Sequence, residues 1–490
     1  METKTHVALV SIPAFSHQVS ILEFAKRLVH HHPDFHVTCI IPTIGSPPSA
    51  SLPFLRALPP SIDHVFLPPV SSHDLLAETT SLQVQLQLAV SRSIPLVREA
   101  LSSLVASTKN LAAMVVDPFA NEVIQVAREL NILSYIYFPS SAMLLSLCLY
   151  SSKLDEKVVV TNCEFRELPG LIEIPGCVPV RGIDLPDNLQ DRTDLAYKQF
   201  LQRCKRYRLA DGFLVNSFVE MEAGPLKSLQ EEGSFQVKHL ASQDEEAPNV
   251  YPVGPIIQTG PTNQASGSDC LRWLDLQPRN SVLYISFGSG GSLSEDQINE
   301  LALGLELSNV RFLWVNVKAP SNKASASYLK TPENDHLESF LPKGFLERTK
   351  ERGLVLTSWA PQVEVLGHEA TGAFLTHCGW NSVLESVVNG VPMIAWPLFA
   401  EQRTNAAMLV DGLKVAVRSS SQVGDDDGLV EKKGIAKVIK SVIEGKEGKE
   451  VRRRMKKLKN AAADAVMEDG SSAKTLSSLT MKWKKLRREI

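Results

Sequence analysis

The stretch from Trp359 to Gln402, WAPQVEVLGHEATGAFLTHCGWNSVLESVVNGVPMIAWPLFAEQ, limits what this chain can fold into more than any other. Gly372-Ala-Phe-Leu-Thr376 is a short apolar run of strand type, His377-Cys378-Gly379 breaks it, and a helical pattern starts at Trp380. From Asn381 to Asn389 the helical spacing gathers Val383, Leu384, Val387 and Val388 on one face. Gly390 then stands where a left-handed stop belongs. Asn381 and Ser382 fall in the first turn, where unpaired N–H groups and the positive end of the helix dipole favour an anion such as phosphate. Glu385, one turn later, is a carboxylate able to accept hydrogen bonds from a vicinal diol such as ribose.

Pro392-Met-Ile-Ala-Trp396 reads as a further strand, with a helix opening near Glu401. Gly353-Leu-Val-Leu-Thr357 reads as another, leading to Trp359 and Gln362. In open α/β sheets, ligands bind at the carboxyl ends of the strands. Three such ends here supply an aromatic plate, an anion cradle, a diol acceptor and the polar pair Glu401 and Gln402. That set suits the base, pyrophosphate, ribose and sugar of a nucleotide sugar. Taken singly, Trp359, Trp380 and Trp396 read as core aromatics, His377 as a loop histidine and Glu385 as a solvated helix residue. Packing alone has little reason to impose their joint spacing.

The chain has 490 residues, long for one core, and two α/β domains are the natural reading of its alternating strands and helices. A formal net charge of −3 gives no whole-molecule field for nucleic acid or an acidic membrane. The 7 cysteines form neither a CxxC pair nor a Cys/His ligand cluster, which points to reduced thiols and no metal. Met1-Glu-Thr-Lys4 leads directly into a strand rather than a signal peptide, and the apolar segment Leu130 to Tyr150 is interrupted by polar residues and Pro139. A soluble, cytoplasmic protein is expected.

In the first half, His6 to Ile12 reads as a buried strand and Val19 to His31 as an amphipathic helix, which puts His17 on the loop between them. Leu111 to Val116 is another strand and ends at Asp117-Pro118, so Asp117 reaches the same sheet edge as His17. An imidazole near neutral pKa suits deprotonation of an attacking hydroxyl, and a carboxylate on its other nitrogen would fix the tautomer. Taken singly, His17 is a loop histidine and Asp117 a turn residue. Ser134 to Phe138 is a strand ending at Ser140-Ser141, followed by a helix from Ala142 to Tyr150. Residues 151–200, rich in proline and glycine, read as loops walling an acceptor pocket. Leu82 to Ser107 reads as mainly helix despite Pro95, and Gly212 to Asn216 as a strand.

Ser281 to Phe287 is predicted to open the second sheet, followed by the turn Gly288-Ser-Gly-Gly291 and a helix from Ser294 to Leu307. Leu293 occupies the third glycine position of GxGxxG, so the dinucleotide fingerprint fails. Phe312 to Val317 is a second strand, and Ala319 to Leu337 and Asp425-Asp-Asp427 read as loops. The basic stretches Lys456 to Lys459 and Lys482 to Arg488 read as solvated faces.

The stretch Trp359 to Gln402 closely resembles the C-terminal signature of plant UDP-sugar-dependent glycosyltransferases of family 1. Cys163-Glu-Phe-Arg-Glu-Leu168, Ile174-Pro-Gly-Cys-Val-Pro179 and Phe345-Leu-Glu-Arg-Thr-Lys350 look like the hydroquinone and phenylpropanoid glucosyltransferases among them. The resemblance implies the GT-B fold, two facing Rossmann-like doubly wound domains with a cleft between. Tyr251-Pro-Val-Gly-Pro255 and the Gly-, Ser- and Thr-rich run to Ser268 place a linker at 254–270, and the resemblance makes 1–253 the acceptor-binding domain, 271–465 the UDP-sugar-binding domain and 466–490 a helix returning to the first domain. It implies that Trp359 stacks on uracil, Ala360 pairs with its edge through backbone, and Gln362 and Glu385 hold ribose. His377, Asn381, Ser382 and Ser289 would meet the diphosphate, and Trp380, Glu401 and Gln402 the hexose, with Ser141 also on the donor side. His17 would be the catalytic base and Asp117 its orienting acid.

The implied reaction is inverting transfer of glucose from UDP-glucose, a co-substrate, to the hydroxyl of a small phenolic acceptor. No metal or further cofactor is expected, and no nucleic-acid or membrane partner. The sequence departs from the family's usual pattern at Glu401, where Asp is common, and at Ser16, where Gly is common before the base. Two other readings compete: a non-catalytic UDP-sugar-binding protein, which has little need of His17 with Asp117, and an NAD(P)-dependent oxidoreductase, which needs the missing fingerprint.

Overall fold

The computed structural model describes residues 4–47, 51–79, 81–108, 111–161, 163–231, 249–259, 264–325, 339–418 and 428–486. Its first sheet contains β1 (Thr5–Val10), β2 (Phe35–Ile41), β3 (Ile62–Phe66), β4 (Leu111–Val116) and β5 (Leu133–Phe138). A separate short hairpin, β6 (Leu171–Ile172) and β7 (Val180–Arg181), intervenes before β8 (Gly212–Val215) and β9 (Asn249–Pro252) complete that sheet. The strand order is β3-β2-β1-β4-β5-β8-β9, with every pairing parallel. The second sheet contains β10 (Val282–Ser286), β11 (Arg311–Trp314), β12 (Gly353–Val355), β13 (Thr371–Thr376), β14 (Met393–Ala395) and β15 (Ala416–Arg418). Its order is β12-β11-β10-β13-β14-β15, again all parallel.

Helices cover both faces of a parallel sheet, so its central strands are apolar throughout rather than alternating. β1 and β13 are buried along their whole length. In each sheet the chain reverses its direction of winding between two adjacent strands, β1 and β4 in the first, β10 and β13 in the second. Connections leaving such neighbours diverge to opposite faces and open a crevice at their carboxyl ends. His17 and Asp117 follow β1 and β4, while the turn at Gly288 and the segment at His377 follow β10 and β13.

The helices that position the crevices are α1 (Phe15–His31), α2 (Leu82–Thr108), α3 (Ala142–Thr161), α4 (Leu195–Arg206), α5 (Gln264–Asp275), α6 (Glu295–Ser308), α7 (Gln362–Gly367), α8 (Trp380–Asn389), α9 (Gln402–Ala407) and α10 (Ser471–Leu486). Four sequence expectations need correction. α1 opens at Phe15, straight after the extended Ala14, so His17 lies in the first helical turn and not in the loop. α3 runs on to Thr161 because Leu154 and Val158 continue its buried stripe, which replaces the first part of the expected loop region. At the end of that region α4 begins and runs beyond it, capped by Asp194 accepting from Ala196 N–H at 2.9 Å, with Tyr197, Phe200 and Cys204 turned inward. α5 begins at Gln264, inside the segment read as linker.

The expected linker residues 260–263, most of the loop Ala319 to Leu337, the acidic run Asp425 to Asp427 and the last residues of the basic tail lie outside the described residues. α10 packs on the first sheet: Leu476, Leu479 and Trp483 are buried there, with the indole against Phe35 and Tyr135. No helix among the described residues is long and apolar enough to cross a membrane.

Candidate active site

The crevice of the first sheet brings His17 and Asp117 into contact. His17 Nδ1 lies 2.6 Å from Asp117 Oδ2, and Asp117 is fully buried. A carboxylate can only accept, so Nδ1 carries the proton and the lone pair sits on Nε2. Asp117 is itself held, since Oδ1 accepts from Phe119 N–H at 2.9 Å as the N-cap of a 3₁₀ turn. Burial lowers the basicity of His17. The Asp117 carboxylate, helped by Glu401 and opposed by Arg203, outweighs it and holds the imidazole pKa above its ordinary value.

The second crevice contains the long signature. α8 starts at Trp380 and ends at Gly390, whose φ of +78° is the left-handed stop that its sequence position predicts. Near its N-terminus, Gln362 Nε2 donates to Glu385 Oε2 at 2.6 Å and to Ser382 Oγ at 2.9 Å, while Gln362 Oε1 accepts from Tyr284 Oη at 3.1 Å. Both amide protons of Gln362 are thus spent inside the protein. Gln362 therefore positions Glu385, and the carboxylate is left as the acceptor for a diol. Burial pushes the Glu385 pKa up to about 7, with Gln362 opposing the shift. Trp359, 44% exposed, presents its indole at the mouth, beside the buried Ala360.

His377 lies between two glycines. A Cβ at Gly288 would come within 2.6 Å of its Nε2, and one at Gly379 within 2.4 Å, so only glycine leaves that nitrogen room. Its Nδ1 is sealed and without a partner among the described residues. Burial first, then the nearby Lys318, push the imidazole pKa down to about 4, so it stays neutral near pH 7. Lys318 donates to the Ser289 carbonyl, and Asn316 Nδ2 to the Gly288 carbonyl at 2.7 Å, so the segment that follows β11 pins the glycine-rich turn.

The remaining signature residues face the cleft between the sheets. Asn381 Nδ2 donates to the Ser16 carbonyl at 3.3 Å, and Glu401 accepts from Ser140 Oγ at 3.4 Å. Gln402 Oε1 accepts from the N–H groups of Leu398 and Phe399 at 2.9 and 3.0 Å, which fixes the amide and leaves Nε2 as its donor end. Two side chains on the donor side have other commitments. The Trp380 indole donates to the Asn216 carbonyl at 2.8 Å and ties the halves together. Ser141 Oγ accepts from Leu144 N–H at 3.1 Å, capping α3, and bonds Asn405 at 3.3 Å.

Sequence reasoning passed over Lys318, Asn405 and Arg203. Asn405 is buried and its Nδ2 donates at 3.0 Å to the carbonyl of Cys378, whose φ of +64° is unusual for a side-chain-bearing residue. Its place one turn into α9 was the available signal. A cavity of about 110 Å³ opens beside His17, lined by Phe119, Ser140, Phe200, Arg203 and Glu401 among others.

Comparison with known proteins agrees with this geometry. The profile of the family described as UDP-glucoronosyl and UDP-glucosyl transferase matches residues 248–464. The chain is similar to hydroquinone glucosyltransferase of Rauvolfia serpentina, 50% identical over 484 residues, which span 99% of this chain and 98% of that protein. It is also similar to the solved structure of a UDP-glucosyltransferase from Polygonum tinctorium capable of glucosylating indoxyl, in complex with 3,4-dichloroaniline. There the TM-score is 0.87 and the identity 46%, over 99% of this chain and 100% of the other. Phytolacca americana UGT2 complexed with UDP-2fluoro-glucose and pterostilbene matches with a TM-score of 0.85 at 44% identity, over 98% of this chain and 100% of the other.

Proposed function

The chain belongs to this UDP-sugar transferase family: it is a GT-B enzyme that uses UDP-glucose to glucosylate small phenolic acceptors, and we propose that it does so by direct displacement with His17 as base. The observation that carries the proposal is the 2.6 Å contact between His17 and a buried carboxylate, on the wall facing the first turn of α8.

The acceptor hydroxyl enters the cavity beside His17 and gives its proton to Nε2 as its oxygen bonds to the anomeric carbon. The bond from that carbon to the UDP oxygen breaks in the same step. The α-linked donor therefore becomes a β-glucoside, and UDP leaves with the electron pair. Asp117 stabilises the imidazolium formed. The first turn of α8, with Asn381, Ser382 and the neutral His377, receives the growing charge on the diphosphate, and Ser289 with the glycine-rich turn supports it. Trp359 stacks on uracil, Ala360 pairs with its edge, and Glu385, held by Gln362, accepts from ribose. Glu401 and the donor end of Gln402 meet the hexose, while Trp380 and Ser141 hold the walls of the cleft. No protein nucleophile is needed. The sugar chosen is glucose, and the cytoplasm is the compartment, since the cysteine spacing suits a reducing one.

A non-catalytic UDP-sugar sensor would have no use for a paired imidazole on the opposite wall. A panel of phenols with UDP-glucose and UDP-galactose, scored by UDP release and product mass, tests the reading. Phenol-dependent UDP release with a mass gain of one hexose supports it. Binding of UDP-glucose with no transfer to any phenol overturns it.

A further inference from the structure

The acceptor cavity contains a buried charge for which the displacement itself has no use. Arg203, on α4, is 5% exposed and lines the same cavity as His17. Its guanidinium lies 4.3 Å from the ring centre of Phe119 and 5.6 Å from that of Phe200. The bond from Nη1 to Gln87 Oε1, at 3.1 Å, is the one hydrogen bond it makes among the described residues. No carboxylate pairs with it there. Glu122, reached through the same Gln87, is taken by Arg206 at 2.6 Å and by Ser91, and Asp117 is taken by His17. Glu401, the other acid on the cavity wall, sits at the donor edge and accepts from Ser140.

A buried cation stacked on aromatic faces but lacking a counter-ion is costly unless a ligand supplies one. The neighbouring Arg206, by contrast, is closed by Glu122. The cavity also limits size. At about 110 Å³ it is smaller than the roughly 150 Å³ that holds benzene in an engineered core, so a second ring has no room inside it and the rest of an acceptor projects into the cleft. Arg203 acts electrostatically on His17, so charge and base share one small space.

We propose that Arg203 sets acceptor specificity by pairing with an anionic group on the acceptor, so that the preferred substrates are single-ring phenols bearing a carboxylate away from the reacting hydroxyl. The proposal rests on the phenol glucosyltransferase reading above and names its substrate class. The planar guanidinium offers a fork matched to a carboxylate, and its stacking on Phe119, 4.3 Å from the ring centre, holds that fork at the cavity wall.

The test compares 4-hydroxyphenylacetate with its amide, 4-hydroxyphenylacetamide, as acceptors for UDP-glucose. The methylene group insulates the phenol, so the pair differs mainly in charge. The readout is the ratio of kcat/KM for acid over amide, with mass and NMR assigning glucose to the phenolic oxygen. A ratio within one preparation does not depend on how much of a variant is folded. The expected ratio is tenfold or more for the wild-type protein, near one for Arg203→Met, and intermediate for Arg203→Lys. A wild-type ratio at or below one, or a ratio unchanged in Arg203→Met, overturns the proposal while leaving the phenol reading intact. If neither these nor neutral phenols release UDP, the phenol reading itself fails.

Discussion

The two crevices of this enzyme are made in opposite ways. In the crevice proposed for the donor, the residues come from one continuous run, Trp359 to Gln402, and several are fixed by the protein before any ligand arrives, as Gln362 and Glu385 are through Tyr284 and Ser382. On the acceptor side, His17, Asp117, Ser140 and Arg203 come from four separate segments and meet only because β1, β4 and β5 are neighbours and α4 packs beside them. The donor edge is a local structure carried on a fold. The acceptor edge is a product of the fold.

The contrast breaks or sharpens at particular residues. The largest effect is expected from His17→Ala, which should lower kcat with a phenol by about 10²- to 10⁴-fold. UDP-glucose affinity, measured by calorimetry, should stay within about twofold, because the proposed donor contacts lie mainly on the other wall. A parallel loss of donor binding would mean that the two crevices are not separable. Asp117→Asn comes next, with a fall of about 10²- to 10³-fold from the lost tautomer control. It also carries a pH signature. In the wild-type enzyme the rate should drop as pH falls through a His17 pKa that lies above its ordinary value, because a protonated imidazole could no longer act as the proposed base. Removing the carboxylate should move that acidic limb to lower pH.

Trp359→Ala should weaken UDP-glucose by about 1–3 kcal/mol, a base-stacking loss, with little change in kcat at saturating donor. The smallest effect tests Glu385. With a pKa of about 7 it is largely ionised at pH 8 and largely neutral at pH 6, and only the carboxylate is a full acceptor for a diol. UDP-glucose, whose diphosphate diester does not titrate in this range, should bind up to about tenfold more weakly at pH 6 than at pH 8. Glu385→Gln should flatten that slope.

The same contrast explains what was legible in the sequence. Gly390 as a left-handed stop, Asn381 and Ser382 in a first helical turn, and the failed fingerprint at Leu293 depend on residues within a few positions of one another. Periodicity and capping rules read them directly. The doubly wound class followed from the alternation of strands and helices. The placement of His17 and Asp117 on one edge followed from their positions after strands, although the helical start at Phe15 did not. Arg203 was not legible as a site residue, because its meaning depends on Phe119, Gln87 and the cavity, all distant in sequence. α4 itself was legible in principle from Tyr197, Phe200 and Cys204 at helical spacing, but the surrounding prolines and glycines masked it. The commitments of the Trp380 indole to Asn216 and of Ser141 to Asn405 cross between the halves, and no local pattern encodes them.

The most direct measurement is a crystal structure with an unreactive fluorinated UDP-glucose and a phenol bound together. The account predicts uracil on Trp359, the diphosphate at the first turn of α8, and the anomeric carbon between the leaving oxygen and a phenol hydroxyl that donates to His17 Nε2. A nucleotide seated away from Trp359, or a phenol hydroxyl out of reach of that imidazole with the sugar in place, would contradict it.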